Sequence, residues 1–298
     1  MSGRSETVGG LLVGLASVLF GSVVIFGRHV LAEDVSVPSM LAIRFAIGGA
    51  LLALALLVTR RPLLAAPGER RGLAVLAVCG YAVESTFFFS AVEHGTAAAV
   101  TLLFFTYPVF VTLGTWALGR GAPAGMTMLA LVCAVGGTAV VVGFGAGLAI
   151  EPVGAALALA SALTYTGYLI GADAVLQRTN PMTSAMWVSG GASLGLFAFA
   201  ALSEQWTAPS AAAWWPLLGM GVASGAAFAC LLSGLQRLGS VRTSIVAATE
   251  PLSTAVLAYV FLDEGVTLAT IVGGALILVG AVVASLARSA TTQEQQIP

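Results

Sequence analysis

The sequence predicts an all-α polytopic membrane protein, with ten transmembrane helices arranged as two inverted five-helix repeats. Three observations predict it. Of 298 residues, 58% are hydrophobic and 8% charged, against about 25% charged in an ordinary soluble domain. Ten apolar stretches of membrane length follow one another. The two halves of the chain match weakly at a nearly constant offset.

The mean hydropathy is +1.00 and the formal net charge is −1. Those values exclude a soluble globular protein, a disordered tail and a nucleic-acid binder, because no basic field is available to hold phosphates. A helical span takes about 20 apolar residues, so ten spans leave only about 98 for loops and tails. The chemistry is therefore expected inside the membrane.

The apolar runs lie at 8–27, 37–58, 72–91, 96–118, 124–145, 152–172, 182–202, 213–234, 240–262 and 266–287. They are longer than barrel strands and apolar all round, so they read as helices. The first run extends to Gly27, long for the apolar core of a signal peptide, and reads as a retained span. All twelve basic residues are arginine. With a cytoplasmic N-terminus, the inner segments hold Arg4, Arg60, Arg61, Arg70, Arg71, Arg120, Arg178, Arg237, Arg242 and Arg288, while the outer loops hold only Arg28. This bias places both termini in the cytoplasm. The absence of an organelle address points to the inner membrane of a bacterial cell.

At an offset of 144, Gly10, Leu15, Ala16, Ser17, Leu19 and Gly27 meet Gly154, Leu159, Ala160, Ser161, Leu163 and Gly171. At 143, Pro38, Ala42, Gly48, Leu51, Ser90 and Pro108 meet Pro181, Ala185, Gly191, Leu194, Ser233 and Pro251. Gly121 and Gly136 meet Gly265 and Gly280 at 144. The repeats divide the chain into 1–147 and 148–298. Five spans per repeat is odd, so the repeats insert with opposite topology. The loops agree: basic Gly119-Arg120-Gly121 corresponds to acidic Asp263-Glu264-Gly265. Inverted repeats are typical of secondary transporters, whose site lies near the midplane between them.

This pattern resembles the EamA-type exporters of the drug/metabolite transporter superfamily. The step Glu250-Pro251, followed by an apolar helix and Asp263-Glu264-Gly265, is similar to the EP…GE pattern of that family. The first-half counterpart is Tyr107-Pro108…Gly119-Arg120-Gly121, with Tyr in place of Glu. The texture is most similar to the aromatic and neutral amino-acid exporters. The resemblance implies that spans one to four and six to nine surround a central cavity, with spans five and ten outside it.

Ionisable groups inside spans cost about 2.5–3.5 kcal/mol each at the centre, so each should face a wet cavity or a partner. Glu84 has two readings: a proton carrier or amine-binding group, or a structural acid, neutral or paired with Arg44. Tyr81, three residues earlier, shares its helical face. Arg44 suits a carboxylate; otherwise it pairs with Glu84 or snorkels outward. Its repeat mate is Trp187, and together they would suit an aromatic zwitterion. Glu250 reads as a gating or structural acid beside the kink expected at Pro251, or as a substrate contact. Pro108 is the matching kink, and the two form a candidate hinge. Tyr107, Tyr165 and Tyr168 are candidate binding groups because each buried hydroxyl needs a partner. Of Phe87, Phe88 and Phe89, one or two can face a cavity. Trp206, Trp214 and Trp215 read as an interfacial belt. Gly221 and Gly225 are spaced for close helix contact.

His29 and His94 lack a carboxylate ligand set, so no metal is expected. Cys79, Cys133 and Cys230 form neither a disulfide framework nor a metal pair. No cofactor is expected. The sequence thus leads to a monomeric secondary transporter that exports aromatic and other neutral amino acids across the lipid bilayer by alternating access. Both proton coupling and simple exchange fit. The alternative is a broad drug or cationic-compound exporter. An intramembrane enzyme lacks the Ser–His, paired-Asp or metal set it needs. A channel lacks a filter or charged ring.

Overall fold

The computed structural model describes residues 2–95, 97–145, 150–262 and 267–286. Among them the chain is helical, with one isolated antiparallel bridge between Gly95 and Ile150. The helices are α1 (Ser2–Leu31), α2 (Val37–Val58), α3 (Arg70–Val75), α4 (Val83–Glu93), α5 (Ala97–Phe104) and α6 (Tyr107–Ala117). They continue with α7 (Gly125–Gly145), α8 (Pro152–Val175), α9 (Pro181–Leu202), α10 (Trp214–Ala247), α11 (Glu250–Leu262) and α12 (Leu268–Leu286). A π-helical stretch, Leu76–Ala82, joins α3 to α4. Asp263, Glu264, Gly265, Arg288 and the expected boundary at 147–148 lie outside the described residues.

Among the described residues, seven helical stretches are long and apolar enough to cross a membrane: α1, α2, the 70–93 run, the 99–117 run, α8, α9 and α10. Within α7 and α12, the shorter apolar stretches Gly125–Val140 and Ile271–Ala284 stand out. The expected runs at 213–234 and 240–262 are divided differently from the reading above. Helix α10 takes in the first run and the start of the second, turning at Gly239, where φ is 76° and ψ is 170°. Glycine meets that positive φ without the clash a Cβ would cause. The chain then leaves the helix at 248–249 and resumes as α11. Apolar residues on both sides hide these ends from a hydropathy reading.

The same break occurs in the first half, at 105–106 between α5 and α6. This corrects the reading of Pro108 and Pro251 as mid-helix kinks. Each is the second residue of a new helix, where a missing N–H costs nothing and the fixed φ suits the first turn. Helices α2 and α9 start alike. Ser36 accepts from the Ser39 amide and Asn180 from the Met182 amide, with Pro38 and Pro181 in the first turns.

Packing repeats with the sequence offset. Helix α2 packs along α9, α7 along α12, α1 along α10 and α8 along α4. A shift of about 143 residues maps the first two pairs onto themselves and the third onto the fourth. Helices α2 and α9 are antiparallel. Before α2, the Ser36 hydroxyl donates to the Gln205 carbonyl beyond α9 (2.6 Å). At the other end, the Thr183 hydroxyl near the start of α9 donates to the Pro62 carbonyl beyond α2 (2.8 Å). Gly48 and Gly225 let α2 cross α10 closely: a Cβ on Gly225 would lie 3.0 Å from the Gly48 carbonyl oxygen. Trp206, Trp214 and Trp215 are exposed near the ends of α9 and α10.

Candidate functional site

A cleft lies among α1, α2, the π-helical stretch with α4, α5, α8 and α11. Its polar lining is Arg44, Tyr81, Glu84, Ser85, Tyr165 and Glu250. Phe88, Phe89 and Phe104 form an aromatic wall, and Phe20, Val23 and Val24 of α1 close another side. These residues lie between the middle of the bundle and the end that carries the turns at 32–36 and 94–95.

Arg44 is 3% exposed. Its guanidinium carbon lies 4.4 Å from the centre of the neighbouring Phe45 ring. Its Nε has no hydrogen-bond partner among the described residues. Tyr81, Glu84 and Glu250 all act on its charge, yet no carboxylate among the described residues comes within the 4.0 Å of an ion pair. Glu84 therefore does not pair with Arg44. Its oxygens accept instead from the hydroxyls of Ser85 (3.0 Å) and Ser161 (3.1 Å). Ser161 also reaches the Glu84 carbonyl oxygen (3.2 Å), so the serine ties α8 to α4.

Tyr81 stands in the π-helical stretch, whose wider turn changes the phase of the helix ahead of Glu84. Both residues line the cleft. The Tyr81 ring meets those of Phe228 (4.4 Å), Tyr168 (5.3 Å) and Phe45 (5.5 Å) edge-on. Tyr165 stacks on Tyr168 at 5.8 Å and meets Tyr107 edge-on at 4.8 Å. The Tyr107 hydroxyl donates to the Ser244 carbonyl (3.3 Å), whereas the Tyr168 hydroxyl has no hydrogen-bond partner among the described residues. Tyr107 and Tyr168 thus back the cleft from behind Tyr165 and Tyr81. Glu250 opens α11 at the helix break, and its carboxyl makes no hydrogen bond with the described residues.

Two segments, 7–143 and 152–286, match the pattern of the EamA-like transporter family. The chain belongs to that family. Its multi-pass membrane character follows from this membership and from the apolar helices. The chain is also similar to an uncharacterized transporter of Synechocystis sp., at 29% identity over 189 residues. That match covers 61% of this chain and 56% of the relative, so it spans little more than half of the relative's length. A solved crystal structure superposes with a TM-score of 0.82 at 20% identity, covering 98% of this chain and 99% of the other. That likeness is one of fold.

Glu250, of the Glu250-Pro251 step, lines the cleft. Trp187, by contrast, stands away from Arg44. Its indole N–H donates to the Leu63 carbonyl (2.9 Å) in the segment after α2. Long helical side chains lean toward their helix N-terminus. Because α2 and α9 are antiparallel, the repeat mates Arg44 and Trp187 lean toward opposite ends of the bundle.

Sequence reasoning missed the opposite end, where charged groups are paired. Arg120 donates to Asp173 (2.8 Å), which also accepts from the Ser240 hydroxyl (3.2 Å). Arg242 lies 3.5 Å from Glu6. Glu69, 6% exposed, accepts from the amides of Arg178 and Thr179, both at 2.9 Å, and from the Thr179 hydroxyl. Burial pushes the Glu69 carboxyl up, but the bonds from Thr179 and the amide of Arg178 outweigh it and hold it below the usual carboxylate range. The available signal was Glu6, Glu69 and Asp173 themselves, acids on the side otherwise crowded with arginine.

Proposed function

We propose that this chain is a secondary transporter that exports small metabolites, foremost aromatic and other neutral amino acids, across the inner membrane of a bacterial cell. In this reading the ten apolar runs all span the bilayer and both termini are cytoplasmic. The two five-helix repeats rock about the central cleft, exposing it to each side in turn. The observation that carries the reading is a buried guanidinium without an ion-pair partner, facing two carboxylates across an aromatic-walled cleft between the repeats. A buried unpaired charge is costly. A zwitterion removes that cost: its carboxylate meets Arg44, its ammonium meets an acid, and its side chain lies on Phe88, Phe89, Phe104 and Tyr165. Family membership and the antiparallel packing of α2 with α9 support a carrier.

A second reading, export of cationic compounds, draws support from the cleft's two carboxylates against one guanidinium. Counterflow in proteoliposomes separates the two. Vesicles are loaded with unlabelled phenylalanine and given labelled phenylalanine outside, with Arg44→Ala alongside. Trans-stimulated uptake that is lost in Arg44→Ala supports the amino-acid carrier. Uptake of tetraphenylphosphonium without uptake of phenylalanine overturns it in favour of the cationic reading.

A further inference from the structure

We propose that Glu250, rather than Glu84, is the carboxylate that receives the ammonium end of the substrate, and that it does so in exchange for a proton. The proposal rests on the amino-acid reading above and assigns separate tasks to two acids that the sequence makes look alike.

The oxygens of Glu84 are committed. They accept from Ser85 and Ser161, and the second bond joins α4 to α8. An amine arriving at Glu84 would have to displace a contact that holds two helices together. Glu250 lines the same cleft and has no hydrogen-bond partner among the described residues. The repeat supplies a control. Tyr107 occupies the equivalent position at the equivalent helix break, and its hydroxyl is fixed to the Ser244 carbonyl (3.3 Å). One of the two equivalent side chains is bound to the protein, and the other is free to bind something else.

The surroundings set what Glu250 can hold. The titratable and charged groups facing it are Arg44 from α2, Tyr81 and Glu84 from the 70–93 run, Tyr107 from α6 and Tyr165 from α8. Helix α1 presents Phe20, Val23 and Val24. In sequence, α7 carries only the Cys133 thiol and α12 carries no acid or base. With every acid and Arg44 ionised, the cleft carries one negative charge in excess beside a phenylalanine wall. That excess is costly in an apolar setting. A proton on Glu250 removes it; a substrate ammonium in the proton's place instead pairs the Glu250 charge directly while the substrate carboxylate pairs Arg44, and one occupant excludes the other. When the ammonium enters, the O–H bond of Glu250 breaks and the proton leaves to water in the cleft. When the ammonium leaves, the bond re-forms. Arg44 holds the substrate carboxylate throughout.

Calorimetric binding to the purified full chain tests this, run between about pH 6 and pH 9 in two buffers of different ionisation enthalpy. The probes are phenylalanine, phenethylamine and phenylpropionate. The wild type is expected to release close to one proton with each of the two amines and none with phenylpropionate. Glu250→Gln should abolish that release and weaken amine binding about tenfold or more. Glu84→Gln and Glu250→Asp should keep the release, and the Asp variant guards against a Gln variant that folds poorly. Release that persists in Glu250→Gln, release that is lost only in Glu84→Gln, or binding of neither amine overturns the proposal. Phenylalanine bound without proton release sinks the proposal and spares the amino-acid reading. Phenethylamine bound with Glu250-dependent release, but no phenylalanine bound, does the reverse.

Discussion

The two ends of the bundle use the same residue types for opposite purposes. Toward the turns at 32–36 and 94–95, Arg44 and Glu250 lie in the cleft without hydrogen-bonded ion pairs. Toward the 59–69 segment, Arg120 is paired with Asp173, Arg242 with Glu6, and Glu69 with the backbone before α9. Partnered charge ties helices together, and unpartnered charge waits for a ligand. The difference explains why charge alone did not separate site from scaffold in the sequence. It also gives the proposed carrier a resting geometry, with a cleft in one half and ionic cross-links between the repeats in the other.

Substitutions sharpen this contrast. The largest loss of stability is expected for Glu69→Ala, which leaves two amides and a hydroxyl without their acceptor. The cost is about 3–5 kcal/mol, read as a fall in Tm of the detergent-solubilised protein, with phenylalanine affinity of the folded fraction unchanged. Arg44→Ala should do the reverse. Phenylalanine affinity falls about tenfold or more through loss of a charge-assisted bond, while Tm holds or rises because an unpaired buried charge has gone.

The pH dependence follows from Glu69. Its folded value is depressed, so the unfolded chain takes up the proton first as pH falls. The stability it contributes is full above its ordinary value of 4.5 and is lost as pH drops through the lower folded value. The Tm gap between wild type and Glu69→Gln should therefore be steady near neutrality and close below about pH 4.5. Asp173→Asn should cost only about 0.2–1 kcal/mol, because its Arg120 partner is 40% exposed. Ser210→Ala, at the exposed Glu33 contact of 2.7 Å, should change Tm within the scatter of surface substitutions, about 0.5 kcal/mol.

Much of the scaffold was legible because apolar run length answers directly to the bilayer. Arg44, Glu84 and Glu250 were legible for the same reason: a charge inside an apolar run demands an explanation. Their division of labour was not. A serine hydroxyl in a helix usually bonds to its own backbone, so nothing in the sequence marks Ser161 as the group that engages Glu84. The π-helical stretch Leu76–Ala82 contains no proline to announce it. Pro108 and Pro251 flagged the right places for the helix breaks, but the breaks precede them because proline favours the first turn. Trp187 misled because equivalent positions in antiparallel repeats coincide only near the midplane. Tyr107 and Glu250 lie close enough to it to serve one site, and Arg44 and Trp187 do not.

The most direct test of this account is thiol labelling of Phe88→Cys in a chain whose Cys79, Cys133 and Cys230 are replaced by serine. A membrane-impermeant maleimide is applied to sealed vesicles of known orientation, with and without phenylalanine. The account predicts faster labelling from the side that carries the turn at 32–36, toward which the cleft lies in this geometry, slowed by phenylalanine and no longer slowed once Arg44→Ala is added. Faster labelling from the side that carries the 59–69 segment, or labelling that phenylalanine does not protect, would contradict it.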